Sequence, residues 1–320
     1  MNYRSIGDMA SLVSRRTHII DLDVDLIVGI PRSGMLAASI LALHRNIKFC
    51  DINSFINNTQ LTHGFCRKVA GRVLEYPLSA KKILVIDDSV DSGRSMSDVK
   101  RQLSSLNLKG ISILYAAIYA TKKGIGFVDY YFEKVAQPRL FEWNILHRKD
   151  TKSFCFDVDG ILCRDPTNNE NDDGIKYIHF MDSVEPLVQP TYELGHLVTS
   201  RLEKYRPQTE DWLTDNNIKY KSLYMLDLPS GDERRRLACH SDFKAQVYNS
   251  IKASSLFIES DLKQSVNIAK KSGKYCLCLP DNQLIDPNLS FNSIRNNFTY
   301  TNRRLTQRIV NKIKRITYGK

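Results

Sequence analysis

Long apolar segments are missing from this sequence of 320 residues. Its longest uninterrupted apolar run, ILYAAIYA at residues 113–120, is far shorter than the roughly 20 residues that a membrane-spanning helix needs. The first residues contain no apolar core of the kind found in secretory signals. Glycine (15 residues) and proline (10 residues) are too scarce for a collagen-like or low-complexity chain. We therefore expect a globular protein of about two domains with a cytoplasmic location.

Two further absences concern cysteine pairs and acidic residues. The seven cysteines form no Cys-x-x-Cys pair, and their odd number argues against a disulfide framework. Residues 287–320 contain eight basic residues and no acidic one. Because the whole chain has 46 basic and 35 acidic residues, the remainder carries 38 minus 35, or +3. The body is therefore not expected to bind nucleic acid, whereas the basic tail can attract phosphates.

Short β-branched runs alternate with helical patterns, which predicts an α/β fold with parallel sheets. We place a first domain at residues 1–150, a second at 151–286 and a basic tail at 287–320. The polar, Asn-rich stretch 53–76 is predicted to be a flexible functional loop, because such long loops are uncommon in compact domains. The predicted strands are 25–30, 47–52, 83–86, 111–119, 153–157, 195–199, 222–226, 256–259 and 275–279. The predicted helices are 34–44, 95–105, 208–215, 242–252 and 262–271.

One strand-to-helix junction in the first half has the composition of a phosphate cradle. The segment KILVIDDSVDSGRSM, residues 82–96, is an apolar strand followed by two carboxylates, a turn of small residues and a helix. Free backbone N–H groups at 91–95 and the helix dipole favour an anion there. Asp87 and Asp88 cannot bind that anion, but they suit the hydroxyls of a sugar attached to it. The residues that allow close approach or donate hydroxyls are Ser92, Gly93 and Ser95.

This junction resembles the loop that binds phosphoribosyl diphosphate (PRPP) in type I phosphoribosyltransferases. The resemblance implies that Asp87 and Asp88 bind the ribose hydroxyls and that Asp91 is the general base for an acceptor. The segment IVGIPRSG at 27–34 likewise resembles the family's diphosphate loop, and 53–76 resembles its closing loop. The implied PRPP-binding residues are Arg32, Ser33, Gly34, Asp87, Asp88, Asp91, Ser92, Gly93, Arg94 and Ser95. The simpler alternative is a solvated turn, since Asp, Ser and Gly are ordinary turn residues.

A second set of polar residues begins with FCFDVDGIL at residues 154–162. Its two carboxylates are two residues apart, and alternation along an extended segment would point both to one side. One can then attack phosphorus and the other act as acid or base, with Mg²⁺ offsetting their repulsion. Further polar residues follow at expected strand ends or helix starts, namely Thr199, Lys244, Glu259 and Asp261.

This order of motifs resembles the haloacid dehalogenase (HAD) phosphatase superfamily and implies a HAD-like domain with a minimal cap. The resemblance implies that Asp157 is the nucleophile and that Asp159 protonates the leaving alcohol. Thr199 and Lys244 would bind the phosphate. The implied ligands of a Mg²⁺ cofactor are Asp157, Asp159, Glu259 and Asp261, and it stays open which of the last two binds it directly. A calcium-type or plain turn is the alternative.

The two resemblances together imply sequential chemistry on one chain. The first domain would transfer 5-phosphoribosyl from PRPP to an acceptor and release diphosphate, and the second would remove the 5-phosphate. Such pairs resemble enzymes of bacterial polysaccharide assembly, so the implied acceptor is a glycan, as in lipid-linked O-antigen or capsule precursors. One alternative is a nucleobase phosphoribosyltransferase coupled to a 5′-nucleotidase. Another is a PRPP-sensing regulator whose basic tail binds nucleic acid.

The tail contains apolar residues at helical spacing, which predicts an amphipathic helix at 303–316. Its apolar positions are Leu305, Ile309, Val310, Ile313 and Ile316. Such a helix either contacts an anionic membrane surface, at the inner face of the membrane, or packs on the second domain. The sequence leaves these two alternatives open.

Overall fold

The structure is a computed structural model that describes residues 1–62 and 74–288. Contacts within the chain divide it into two compact parts, Met1–Ile145 and Leu146–Lys320, which we call unit 1 and unit 2. The sequence places this division near residue 150. Each unit is described by itself below.

Two predicted features fall partly or wholly outside the described residues. The predicted tail helix at 303–316 lies outside them, and so do residues 63–73 of the loop predicted at 53–76. The start of that loop is helical instead, because the side chain of Asp51 accepts two backbone hydrogen bonds and caps a short helix. None of the helices that the structure describes is long and apolar enough to cross a membrane.

Unit 1 is built on a parallel β-sheet. Its described strands are β1 (Asn2–Arg4), β2 (Leu26–Gly29), β3 (Lys48–Asp51), β4 (Lys82–Val90), β5 (Ser112–Ala120), β6 (Tyr130–Lys134) and β7 (Arg139–Phe141). Five of them form one sheet in the order β3-β2-β4-β5-β6, with every neighbouring pair parallel. β1 and β7 form a separate parallel pair.

Helices cover both faces of this sheet. They are α1 (Ile6–Arg16), α2 (Gly34–Arg45), α3 (Ile52–Ile56) and α4 (Arg94–Ser104). A capping box of Ser5 and Asp8 starts α1. Alternate residues of β4 point to opposite faces, so Leu84 packs with α1 and α2 while Val85 packs with α3 and α4. The result is a doubly wound sheet with an apolar core on each side.

The strand order locates the crevice of unit 1. The first strand of the sheet, β2, lies between β3 and β4, so the chain winds one way to β3 and the other way from β4 onward. In doubly wound sheets of this order, ligands bind beyond the carboxyl ends of the strands at such a reversal. The segment that follows β2 and the end of β4 therefore meet at one edge of the sheet.

Unit 2 is also built on a largely parallel sheet. Its described strands are β8 (Cys155–Phe156), β9 (Leu194–Leu202), β10 (Tyr220–Leu226), β11 (Leu256–Glu259), β12 (Tyr275–Cys278) and β13 (Gln283–Ile285). Their order is β10-β9-β8-β11-β12-β13, and only β13 runs antiparallel to its neighbour. The first strand, β8, lies between β9 and β11, which is the order of a Rossmann-type sheet and again places a reversal at the first strand.

The described helices of unit 2 accompany this sheet. They are α5 (Ile175–Ser183), α6 (Arg206–Asp215), α7 (Gly231–Leu237), α8 (His240–Ser250) and α9 (Leu262–Ser272). Tyr248 of α8 and Val266 of α9 pack against Phe257 of β11 in one buried cluster. The helices α8 and α9 therefore hold the strand that ends beside the crevice.

The predicted α/β class with parallel sheets is confirmed, and two predicted boundaries are wrong in ways that matter. The strand predicted at 83–86 continues to Val90, because Ser89 and Val90 still pair with β5. Asp87 and Asp88 therefore lie within β4 and not beyond the end of the predicted strand. The strand predicted at 153–157 is only β8, so Asp157 and Asp159 lie beyond its end. The sequence did not predict β1, β6, β7, β13, α1, α3, α5 or α7.

A close backbone approach near the end of β4 gives a test of the fold of unit 1. Gly124 and Gly126 share the 3₁₀ turn Gly124–Phe127. A Cβ on Gly124 would lie 2.4 Å from the carbonyl oxygen of Val90, whereas a Cβ on Gly126 would have nothing within 4 Å. We expect Gly124→Ala to lower the free energy of unfolding by about 1–3 kcal/mol, because the end of β4 has to move.

Gly126→Ala is the matched control, and we expect it to change the free energy of unfolding by less than about 0.5 kcal/mol. Urea unfolding followed by the fluorescence of Trp143, in a Trp212→Phe background, reports unit 1 alone. Equal effects of the two substitutions would contradict the close approach.

Candidate active sites

The loop after β2 and the end of β4 are joined by a hydrogen bond in unit 1. The Ser33 hydroxyl donates to Oδ1 of Asp88 at 2.8 Å, and the Trp143 indole donates to Oδ2 at 3.0 Å. Gly34 fits here because a Cβ would lie 2.9 Å from the carbonyl oxygen of Ile86. The structure thus brings together the predicted diphosphate loop and the predicted ribose carboxylates.

The two neighbouring carboxylates of β4 differ in their surroundings. Asp88 is buried, with both oxygens hydrogen-bonded, and its backbone N–H donates to Oδ1 of Asp87 at 2.8 Å. Burial, together with the nearby Asp88 carboxylate, raises the pKa of Asp87 to about 8. Asp87 is therefore largely protonated at neutral pH in the ligand-free protein.

Asp91 lies just past the end of β4 and is held from two sides. Its Oδ1 accepts a hydrogen bond from the Thr121 hydroxyl at 2.8 Å, and its Oδ2 accepts one from the Gln137 amide at 2.9 Å. The hydrogen bond from Thr121 is the main cause that lowers the pKa of Asp91. Asp91 is therefore ionised, the state that a base requires, and fixed in position.

The predicted phosphate turn has the backbone that its residues suggest. Gly93 has a φ of +74° and precedes the first residue of α4, and a Cβ there would lie 2.3 Å from the ring of Phe127. Only glycine fits this position. The first N–H groups of a helix have no partners within it, so the start of α4 offers donors to an anion. Among the predicted PRPP-binding residues, the exposed ones are Arg32, Ser92, Arg94 and Ser95.

Three stacked aromatic rings, which the sequence did not assign to the site, include the indole donor to Asp88. Phe141 stacks between Tyr119 and Trp143, with ring centroids 5.5 Å and 4.7 Å away. Trp143 is half-buried, and its indole N–H is the donor to Asp88. Nothing in the local sequence signals this contact, because Trp143 and Asp88 are 55 residues apart.

The site of unit 2 centres on a buried lysine between two carboxylates. Lys244 Nζ donates to Asp157 Oδ2 at 2.6 Å and to Glu259 Oε2 at 2.8 Å. Asp157 follows β8, Glu259 ends β11, and Lys244 lies inside α8 rather than at its start. Burial alone would lower the pKa of Lys244, but the two carboxylates together raise it. The lysine therefore stays charged and links the three elements.

Asp159 points to a different cation. Its carboxylate accepts hydrogen bonds from Arg201 Nε at 3.1 and 3.2 Å and from Arg201 Nη2 at 2.7 Å. The Arg201 side chain is fully buried. Burial would raise the pKa of Asp159, but the charge and hydrogen bonds of Arg201 outweigh it and lower the pKa. Asp159 is thus an ionised carboxylate in this state, which differs from the proton donor that the resemblance implies.

The other two predicted residues of unit 2, Thr199 and Asp261, form hydrogen bonds with backbone N–H groups rather than with Lys244. Thr199 is buried within β9, not at its end, and its hydroxyl accepts a hydrogen bond from the backbone N–H of Arg201 at 3.2 Å. Asp261 caps α9 by accepting a hydrogen bond from the backbone N–H of Gln264 at 2.8 Å. Arg201 was missed by the sequence analysis, although it stands two residues after Thr199.

The donor chemistry around Lys244 fits Mg²⁺, although the described residues contain no ready-made group of three metal-ligating side chains. Asp157 and Glu259 supply carboxylate oxygens, which Mg²⁺ prefers, from two adjacent strands. They already converge on one cation, the ammonium of Lys244. Asp159 and Asp261 are engaged elsewhere, by Arg201 and by the start of α9. The full set of four ligands stays a prediction.

Comparison with known proteins identifies unit 1. Residues 3–148 match the family described as phosphoribosyl transferase domain. That span contains the predicted PRPP-binding residues, and the match supports a phosphoribosyltransferase domain in this part of the chain. The roles of the individual residues stay predictions. The match supports phosphoribosyltransferase chemistry for this chain. No curated protein matches the sequence.

Several solved structures are similar to part of the chain. A purine phosphoribosyltransferase from Pyrococcus horikoshii has 15% identity and a TM-score of 0.32, covering 44% of this chain and 92% of that one. A xanthine-guanine-hypoxanthine phosphoribosyltransferase from Helicobacter pylori has 18% identity and a TM-score of 0.33, covering 45% and 92%. An orotate phosphoribosyltransferase from Aeropyrum pernix has 13% identity and a TM-score of 0.27, covering 40% and 70%.

The buried ion pair of unit 2 gives a second test. Asp159→Asn leaves the Arg201 guanidinium buried without a counter-charge, so we expect the free energy of unfolding to fall by about 3–5 kcal/mol. Asp150→Asn removes the same charge from a more exposed pair with Arg148, and we expect a loss of about 1 kcal/mol or less. Trp212 fluorescence in a Trp143→Phe background reports unit 2. A similar loss in both variants would contradict the role assigned to Arg201.

Proposed function

We propose that this protein transfers 5-phosphoribosyl from PRPP to a glycan acceptor, releases diphosphate and then removes the 5-phosphate. The product is a β-ribofuranosyl residue on the acceptor, which we take to be a lipid-linked O-antigen or capsule precursor. The observation that carries the first step is the hydrogen bond between Ser33 and Asp88, because it joins the segment after β2 to the end of β4 within the residues that match the phosphoribosyltransferase family.

Unit 1 has a residue for each part of PRPP. Asp87 and Asp88 bind the ribose hydroxyls, and the exposed start of α4 receives the 5-phosphate. The diphosphate lies against the segment from Arg32 to Gly34. The acceptor oxygen bonds to C1 as the bond from C1 to diphosphate breaks, and Asp91 takes the acceptor's proton. The two hydrogen bonds on Asp91 fix its carboxylate for this task.

Support for a phosphatase in unit 2 comes from strand order and charge. The carboxylate that would attack phosphorus, Asp157, follows the first strand of a Rossmann-type sheet and lies at its reversal. Lys244 holds that carboxylate in place and supplies positive charge beside it. Thr199 and Arg201 come from the neighbouring strand β9. We propose a HAD-like phosphatase on this basis.

The proposed phosphatase step needs a proton donor for the leaving alcohol. For Asp159 to protonate the alcohol, it must first take up a proton, and its pairing with Arg201 opposes this. Bound substrate phosphate, itself an anion, would favour such protonation. When bound, Mg²⁺ would offset negative charge on the phosphoryl group, and Asp157 and Glu259 would hold it.

One observation favours a second candidate, a nucleobase phosphoribosyltransferase coupled to a 5′-nucleotidase. The half-buried ring of Trp143 lies beside the ribose carboxylate Asp88, and a planar base can stack on such a ring. Diphosphate release from PRPP, measured with a lipid-linked glycan and with nucleobases, separates the two functions. Release with nucleobases alone would replace the glycan proposal by this one.

Asp157→Asn should separate the two proposed steps. Transfer should persist, because unit 1 is unchanged, while phosphate release should be lost, because the amide cannot attack phosphorus. We therefore expect a 5-phosphoribosylated acceptor to accumulate, seen by mass spectrometry. Diphosphate release by the same sample is the internal control for unit 1. A ribosyl product without phosphate from this variant would disprove the two-step scheme.

A further inference from the structure

Arg234 is a buried arginine without an acidic partner among the residues that the structure describes. Its exposed fraction is 8%, and its guanidinium donates to neutral acceptors that include the Ser200 carbonyl oxygen at 3.0 Å and Asn171 Oδ1 at 3.0 Å. It also forms a hydrogen bond with the neutral side chain of Tyr177. The next two residues of α7 are different. Arg235 pairs with Asp232, and Arg236 pairs with Glu233, in exposed ion pairs.

A buried charge is costly unless an opposite charge compensates it. Arg234 also has one donor, Nε, with no partner, and the hydroxyl of Ser200 is a second buried polar group without one. Unsatisfied buried groups of this kind are rare in folded proteins and call for an explanation. A ligand anion would supply both the missing charge and the missing acceptors.

The position of Arg234 places this anion beside the phosphatase site. Ser200, which accepts from Arg234, stands between Thr199 and Arg201. Burial, and then Asp159, raise the pKa of Tyr177, while Arg201 and Arg234 act against this rise. Those four side chains therefore share one neighbourhood. Burial, and then the charges of Arg234 and Lys244, lower the pKa of His240.

The surrounding segment keeps Arg234 in place without ligand. Asn171 accepts a hydrogen bond from Nη2 of Arg234. Asp173 accepts hydrogen bonds from the Gly231 N–H at 2.7 Å and from the Tyr205 hydroxyl at 3.0 Å. The start of α7 is thus tied to the segment between β8 and α5. An arginine already fixed in position loses little entropy when it binds an anion.

We propose that Arg234 and Ser200 form an anion subsite, so that unit 2 takes substrates with a phosphoryl group and a second anionic group nearby. Diphosphate is the simplest member of this class. The binding claim stands on the contacts of Arg234, and only its use in turnover rests on the proposed phosphatase. Under the proposed function unit 1 releases diphosphate, and hydrolysis by one water gives two phosphates without another reactant.

Calorimetric titration of the full chain with inorganic diphosphate tests the subsite. We expect wild type to bind one more diphosphate than Arg234→Gln, or to bind it about 10–100-fold more tightly at that site. Arg235→Gln removes the same charge from the next residue of α7 and should behave like wild type. Equal diphosphate binding by all three proteins would overturn the proposal. Unit 1 is the same in wild type and in Arg234→Gln, so the difference between their titrations reports the subsite even if unit 1 also binds diphosphate.

Two further measurements separate binding from a structural role and from the phosphatase. The unfolding temperature of Arg234→Gln checks that the variant is folded at the titration temperature, because the change also removes the hydrogen bonds to Ser200 and Asn171. Arg234→Lys should recover part of the diphosphate affinity.

If unit 2 hydrolyses p-nitrophenyl phosphate, which has one anionic group, Arg234→Gln should leave its kcat/KM within about twofold. An equal loss for p-nitrophenyl phosphate and diphosphate would overturn the claim of a second anion. An absence of turnover would contradict only the proposed phosphatase, since the titration still decides the subsite. Repeating the titration with an alkyl diphosphate shows whether the subsite binds free diphosphate or a diphosphate ester.

Discussion

Both units depend on one constraint, a parallel sheet whose first strand has later strands on both sides. The chain leaves that strand in two directions, so a crevice opens beyond the carboxyl ends of β2 and β4 in unit 1 and of β8 and β11 in unit 2. Polar side chains at those ends are brought together although they are far apart in sequence. In unit 1 the residues predicted to bind PRPP lie at this edge.

The polar side chains that meet at these strand ends include several carboxylates, and the two units neutralise this negative charge differently. In unit 1, Asp88 accepts hydrogen bonds from two neutral donors, Ser33 and Trp143, and burial favours a proton on Asp87. In unit 2, Lys244 and Arg201 neutralise carboxylates directly. Carboxyl oxygens can accept hydrogen bonds from neutral sugar hydroxyls, whereas a site with buried cations suits phosphate. The difference in compensation therefore agrees with the different chemistry proposed for each unit.

The sequence could predict residues whose place follows from local pattern. Asp87, Asp88, Asp157 and Glu259 each come at the end of an apolar strand, so their meeting at a sheet edge follows from parallel topology alone. Partners from distant elements could not be predicted. Arg201 and Asp159 are 42 residues apart, and the Trp143 and Asp88 pair is no closer in sequence. Such contacts depend on how separate elements pack, which the local sequence pattern does not specify.

The affinity for PRPP tests the central claim, that unit 1 is a working phosphoribosyltransferase site, most directly. Calorimetry on the full chain should show PRPP binding that Asp88→Asn weakens by about tenfold or more, because a buried acceptor of two hydrogen bonds is altered. Asp98→Asn, an exposed change on α4, should leave the affinity unchanged. Absence of PRPP binding by wild type, or equal affinity in all three proteins, would contradict the account.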